Sequence, residues 1–238
     1  MKRKAALLAA ALLTAVAAIV GGCGAGDAAQ ADKQPRREGG HIRVLNTTDE
    51  PVAVVFGRRR LGDQIDPGDA NLFQKEVPGR NAFVIGVPGS MPMRNLAEKE
   101  VELKSGTTTT YVLRKSGNEW NVVTVENEPR FADQGSPTVT VVSLDPVSAV
   151  DVALQGQGRK IELGRAEGFG IRETKPVPPG LYRLVVGGKT VGPEFEIRED
   201  VAYSAFVFTM KGAVSGSVHR NTPAMSIQGI EGAAGAGG

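Results

Sequence analysis

IRVLNTTDEPVAVVF, residues 42–56, decides the fold: two short β-branched and aliphatic runs flank a polar Asn-Thr-Thr-Asp-Glu-Pro turn. Runs bounded by Asn, Asp and Pro are strand signals, and nothing here keeps the 3.6-residue apolar period of a helix. The arrangement returns later in the chain. IRVLN at 42–46 matches VTVVS at 139–143, and PVAVVF at 51–56 matches SAVDVAL at 148–154.

Two further anchors follow in the same order. VPGRNAFVIG at 77–86 matches PPGLYRLVVG at 178–187, a Pro-Gly turn feeding an apolar strand each time. KSGTTTTYVL at 104–113 matches REDVAYSAFV at 198–207, a polar turn entering a Tyr-containing strand. Ordered self-similarity of this kind marks a duplicated structural unit. Around the anchors the first half reads as HIRVLN, PVAVVF, ANLFQKEV, AFVIGV, KEVELKS, TTTTYVLRK and EWNVVTVE, spaced as in a sandwich or barrel. The glycines and prolines between them favour turns over long helices.

The expected architecture is all-β, with two tandem antiparallel β-sandwich (Ig-like) domains at 41–126 and 137–223, joined by a linker at 127–136. Each copy is long enough to bury its own core. Alternation assigns Val44, Val54, Phe83, Ile85 and Val112 to the first core, and Val141, Val152, Leu184, Val186 and Phe206 to the second. Tyr111 and Trp120 lie in alternating strands and are read as core side chains.

The ends of the chain differ from its middle. Met1-Lys2-Arg3-Lys4 followed by the uncharged Ala/Leu-rich stretch to Val20 has the layout of an export signal, read as 1–22. The stretch is too short and too weakly apolar for a permanent span. Ile19-Val20-Gly21-Gly22-Cys23 resembles the lipobox of bacterial lipoproteins. That resemblance implies cleavage before Cys23, lipid on its thiol and amino group, and a membrane anchor of more than one acyl chain, which is enough to hold a protein stably. Cys23 is the single cysteine of 238 residues, so no internal disulfide is expected. The protein is then periplasmic or on the cell-surface face of a bacterial membrane. Gly24, where retained lipoproteins carry Asp, points to the outer membrane. Residues 23–40 lack Val, Ile, Leu and aromatics and read as a flexible tether, and 224–238 as a disordered Gly/Ala tail.

Removing Lys2, Arg3 and Lys4 with the signal leaves 25 basic against 26 acidic residues, a balance that argues against nucleic acid as a partner. Catalytic candidates are sparse. There is no G-x-S-x-G elbow, Gly-Asp-Ser motif or HExxH, so no catalytic residue, metal or cofactor is assigned. His41 and His219 stand at nonequivalent positions and read as exposed polar residues at strand ends. GFGIRE and GQGRK, without a following helix, read as turns rather than phosphate cradles. Met91 and Met93 lack the His or Cys partner that a copper(I) site needs. The one candidate contact site is Arg58-Arg59-Arg60 in the turn after PVAVVFG. Its three cations could meet an anionic sugar, a lipid head group or an acidic partner; the alternative is a solvated loop that guards a hairpin edge.

IRVLN at 42–46, GRRRLGD at 57–63, VPGR at 77–80, YVL at 111–113 and above all VENEPRFADQGSPTVTVVSL at 125–144 resemble the periplasmic AlgF family of alginate O-acetylation proteins. The resemblance spans both copies and rests on turn and strand signals. It implies a noncatalytic adaptor that serves O-acetylation of an exopolysaccharide while a separate O-acyltransferase makes the transfer. The lipobox, the MPMRN loop and the Gly/Ala tail depart from the family pattern, which leaves alginate, acetylated cellulose or another exopolysaccharide open as the polymer. The alternative is a tandem-sandwich lipoprotein that binds carbohydrate or protein at the cell surface. An acetyl-transferring or hydrolytic enzyme would have to use Ser90 or His219.

Overall fold

A computed structural model describes residues 39–129, 136–144 and 149–221, which form sixteen strands and no helix. The signal, Cys23, most of the tether, much of the linker and the tail lie outside the described residues. The strands of the first half are β1 (Gly40–Asn46), β2 (Val52–Phe56), β3 (Arg59–Ile65), β4 (Gln74–Glu76), β5 (Gly79–Gly86), β6 (Asn95–Leu103), β7 (Thr108–Ser116) and β8 (Glu119–Glu126). Those of the second are β9 (Thr138–Ser143), β10 (Val150–Gly156), β11 (Arg159–Ala166), β12 (Gly170–Pro176), β13 (Gly180–Val186), β14 (Lys189–Ile197), β15 (Ala202–Met210) and β16 (Ala213–Arg220).

They assemble into four four-stranded sheets. The first sandwich pairs β4-β1-β7-β8 with β3-β2-β5-β6, and the second pairs β12-β9-β15-β16 with β11-β10-β13-β14. Adding eight to each label of the first order gives the second, so the repeat read in the sequence is a repeat of topology. Each sandwich contains one parallel pair among its antiparallel ones, β1 with β7 and β9 with β15. The first strand of each copy thus lies beside its seventh, which closes the unit on itself.

Two cores follow the alternation. Val44, Val54, Phe83, Ile85, Tyr111 and Trp120 fill the first, and Val141, Val152, Tyr182, Leu184 and Val186 the second. Tyr111 and Tyr203 do not occupy matching positions: Tyr111 pairs with Val44, and Tyr203 with Val139, two residues earlier in its repeat. Both hydroxyls nevertheless donate to the same place, Tyr111 to the Glu102 carbonyl (3.0 Å) and Tyr203 to that of Glu196 (3.2 Å). Burial pushes the Tyr111 phenol well above its usual range, so it stays a donor.

Val112 and Phe206 are buried, but outside the cores assigned to them. With Leu45, Val125, Val142, Leu144 and Phe208 they form a third cluster, shared by the two sandwiches. The sheets carrying β1 and β9 are therefore covered on both faces, one by their own sandwich and one by the other copy. That accounts for their sequences: β9 and the first seven residues of β15 are buried throughout. A strand buried on two sides loses its polar face and reads as a continuous run. Each fully buried Val, Leu or Phe here stabilises the pairing of the copies by roughly 1.5–3 kcal/mol relative to exposure.

Three local readings change as well. The arginine run is only partly turn, because Arg59 and Arg60 open β3. GQGRK turns at Gln157-Gly158 and continues as strand from Arg159, and GFGIRE becomes strand β12 from Gly170. Charged residues on an outward strand face look like loop in a single sequence.

Candidate functional site: the seam between the sandwiches

Arg43 sits in the middle of IRVLN, and its side chain is fully buried. It points away from its own core into the seam, because alternation sends Ile42 and Val44 inward. The guanidinium lies between two rings, 4.4 Å from the Phe73 centroid and 4.9 Å from that of Phe206, one from each sandwich. Its counter-charge is Glu128, two residues beyond β8 and equally buried.

The carboxylate of Glu128 gathers both copies. It accepts from Arg43 Nη2 and from Thr110 Oγ1 of the first sandwich, and from Ser204 Oγ of the second at 2.5 Å. Arg43 Nε donates to Thr110 Oγ1 (2.9 Å) and Nη1 to the Arg220 carbonyl (3.2 Å). Asn221 completes the set, donating to Ser204 Oγ (3.0 Å) and to the Pro129 carbonyl (2.6 Å). Burial works against the charge on Arg43, and Glu128 works for it through charge and hydrogen bond. Such a pair adds little net stability over an apolar one, yet breaking it strands a charge in a dry site, so it selects one way of joining the copies.

The seam also holds the nearest approach to a catalytic set, since Ser204 and His219 are cross-strand neighbours and Glu128 is bonded to the serine. Their roles do not connect. A hydrolase needs the histidine between nucleophile and acid, whereas Ser204 donates directly to Glu128. The His219 Nε2 is engaged with the Gly68 carbonyl (3.1 Å) and Ser217 Oγ (2.8 Å), and Ser204 is fully buried. His219 is thus a partly buried seam residue inside β16, not an exposed strand end. Ser90 belongs to another region: its hydroxyl donates to the Val87 carbonyl (2.8 Å) and accepts from the Arg94 amide (2.9 Å), stapling its own loop.

The three arginines of the β2–β3 hairpin remain exposed. Arg59 pairs with Glu76 (2.9 Å) on β4 and Arg60 with Asp63 (2.9 Å), while Arg58 occupies the turn after Gly57. The structure therefore divides their charges between separate partners. At one end of the seam a cleft of about 340 Å³ is lined by Thr47, Thr48, Asp49 and Lys115 of the first sandwich and Thr209 and Lys211 of the second. Among the described residues no group of three His, Cys, Asp or Glu is placed to hold a metal.

Arg43 and Glu128 escaped the sequence reading. The signal for Arg43 was present, a cation at an alternating position of an otherwise apolar strand. Glu128 carried none, being one carboxylate in a polar linker.

No family model matches the sequence, and no curated protein does. Among solved structures, a Bacteroides ovatus protein described as a proposed cell adhesion protein aligns over 77% of this chain and 96% of its own, with 7% identity and a TM-score of 0.23. At that level the likeness carries no inference about activity.

Proposed function

We propose that this chain is an exported, noncatalytic lipoprotein, anchored through Cys23, that serves as an adaptor in O-acetylation of an exopolysaccharide by a separate O-acyltransferase. The observation that supports this reading most is the seam. The buried polar groups that could have formed a reactive centre are instead joined to one another, and they fix two sandwiches as one body. A body of this kind suits a protein that holds partners in a set geometry. Its exposed hairpins, including Arg58, Arg59 and Arg60, and the polar cleft at the seam's end are the surfaces offered to machinery or polymer.

Deletion of the protein with measurement of polymer acetyl content is the direct test. Loss of acetyl groups while polymer continues to be made supports the adaptor, and unchanged acetylation removes it. Tight binding of the purified protein to polymer, with acetylation unaffected by its loss, would favour the cell-surface binding module. The mass of the mature N-terminus tests the anchor: a diacyl or triacyl Cys23 is expected.

A further inference from the structure

We propose that the seam is an acid-sensitive coupling: His219 bridges it as a neutral ring, and a proton on that ring lets the two sandwiches part. The Nε2 of His219 lies 3.1 Å from the Gly68 carbonyl, in the loop between β3 and β4, and 2.8 Å from Ser217 Oγ. The carbonyl can only accept, so the bond across the seam belongs to the tautomer whose Nε2 carries the hydrogen. The atom left to take a further proton is Nδ1. The ring rests against Phe206, with centroids 6.0 Å apart, and Phe206 in turn covers Arg43.

Arg43 on β1 is the charge that acts on the ring. The other charged groups on the elements that meet there are Glu128, bonded to the cross-strand neighbour Ser204, Arg220 next to His219 on β16, and Asp66 and Asp69 on either side of Gly68. Glu128 already accepts from Arg43, Thr110 and Ser204, so an imidazolium would enter as a second cation beside a guanidinium. Burial first, and the charge of Arg43 second, hold the imidazole down to about 4, against the opposing hydrogen bond with Gly68.

The direction follows from linkage. A histidine whose folded value is depressed contributes its full stability above the free value of 6.5, and loses it as pH falls from there toward about 4. Opening the seam returns the ring to water, where it titrates normally. The equilibrium constant for the closed seam should then fall about twentyfold between pH 7 and pH 5.

The test uses the full chain as Cys23→Ser, with Arg80→Cys and Leu181→Cys carrying a dye pair on the two outer sheets. Seam opening in urea is followed by energy transfer, and the first core by fluorescence of Trp120, the single tryptophan. The twentyfold change is expected with His219 present and absent in His219→Gln, whose amide still donates to Gly68. Equal pH dependence in the two chains overturns the proposal, as does loss of both signals together, which would mean global acid unfolding. An independent arm needs no seam variant: NMR titration of the His219 ring, assigned by His41→Gln, must give a midpoint below 5. A midpoint near 6.5 also overturns it.

Discussion

The two sandwiches turn the same face toward each other and fill it differently. In the first, β1 contributes Arg43 with Phe73 beside it; at the matching place in the second, Thr140 hydrogen-bonds Thr174 (2.8 Å). The matching positions of β7 and β15 hold Val112 and Phe206. The first sandwich thus brings a ring, a cation and a valine to the seam, and the second brings two small hydroxyls and the ring that closes over the cation. The difference teaches how a duplicated unit avoids pairing with itself. Arg43 and its counter-charge Glu128 both belong to the first copy and the segment just after it, and the second copy meets that ion pair with the Ser204 hydroxyl, the Arg220 carbonyl and the Phe206 ring. Two first copies would set two buried ion pairs against each other without those groups, and two second copies would bring the groups without an ion pair to receive them. Complementarity between a charged face and a face that solvates it therefore selects the arrangement more than net stability does.

The largest test of that asymmetry is Arg43→Met against Thr140→Val. The first leaves Glu128 buried without its cation and should cost about 3–5 kcal/mol in urea unfolding. The second should cost about 1 kcal/mol, the worth of one hydroxyl hydrogen bond. Similar costs for the two would mean that the charged side has no special weight. Next is Phe206→Val, which copies Val112 into the second sandwich and uncovers one face of Arg43. A loss of about 2–3 kcal/mol is expected from the cavity, and a neutral result would show that the ring is filler. The smallest effect concerns a feature on which the copies agree. Tyr111→Phe removes the hydrogen bond to the Glu102 carbonyl and should cost about 1 kcal/mol. Tyr203→Phe removes the equivalent bond to Glu196 and also the acceptor of the Arg198 amide (2.9 Å), so it should cost more, about 1–2 kcal/mol. Equal losses would show that the Arg198 amide finds another acceptor and that the shared carbonyl alone sets the worth of each tyrosine.

The repeat was legible because turns and strand starts, such as VPGR and PPGL, are fixed by local chemistry and survive divergence. The seam was not, because its signal is the failure of a pattern. In TTTTYVL and AYSAFVF both faces are buried, so alternation weakens and a residue such as Val112 or Phe206 carries no mark of which face it serves. The tyrosine match hid a two-residue offset for the same reason: either position reaches the same carbonyl. Charge misled in the other direction. Arg58, Arg59 and Arg60 stand out as a run, yet surface pairs like those of Arg59 and Arg60 contribute about 0–1 kcal/mol. The single Arg43, one cation in a short apolar strand, organises the contact between the copies.

The parallel pairing of β1 with β7 bears on how the chain reaches this state. Neither sandwich can close until its seventh strand exists, so most contacts are made between residues far apart in the chain, and topology of this type folds slowly. As the chain emerges in order, all eight strands of the first unit are present before any strand of the second. The first unit's Leu45, Val112 and Val125 then wait as an uncovered sticky surface beside an arginine that has Glu128 but not yet the covering ring of Phe206. That interval is when aggregation competes hardest with completion, and burying an ion pair without the second copy's hydroxyl, carbonyl and ring is a desolvation cost that works against two first halves settling on each other.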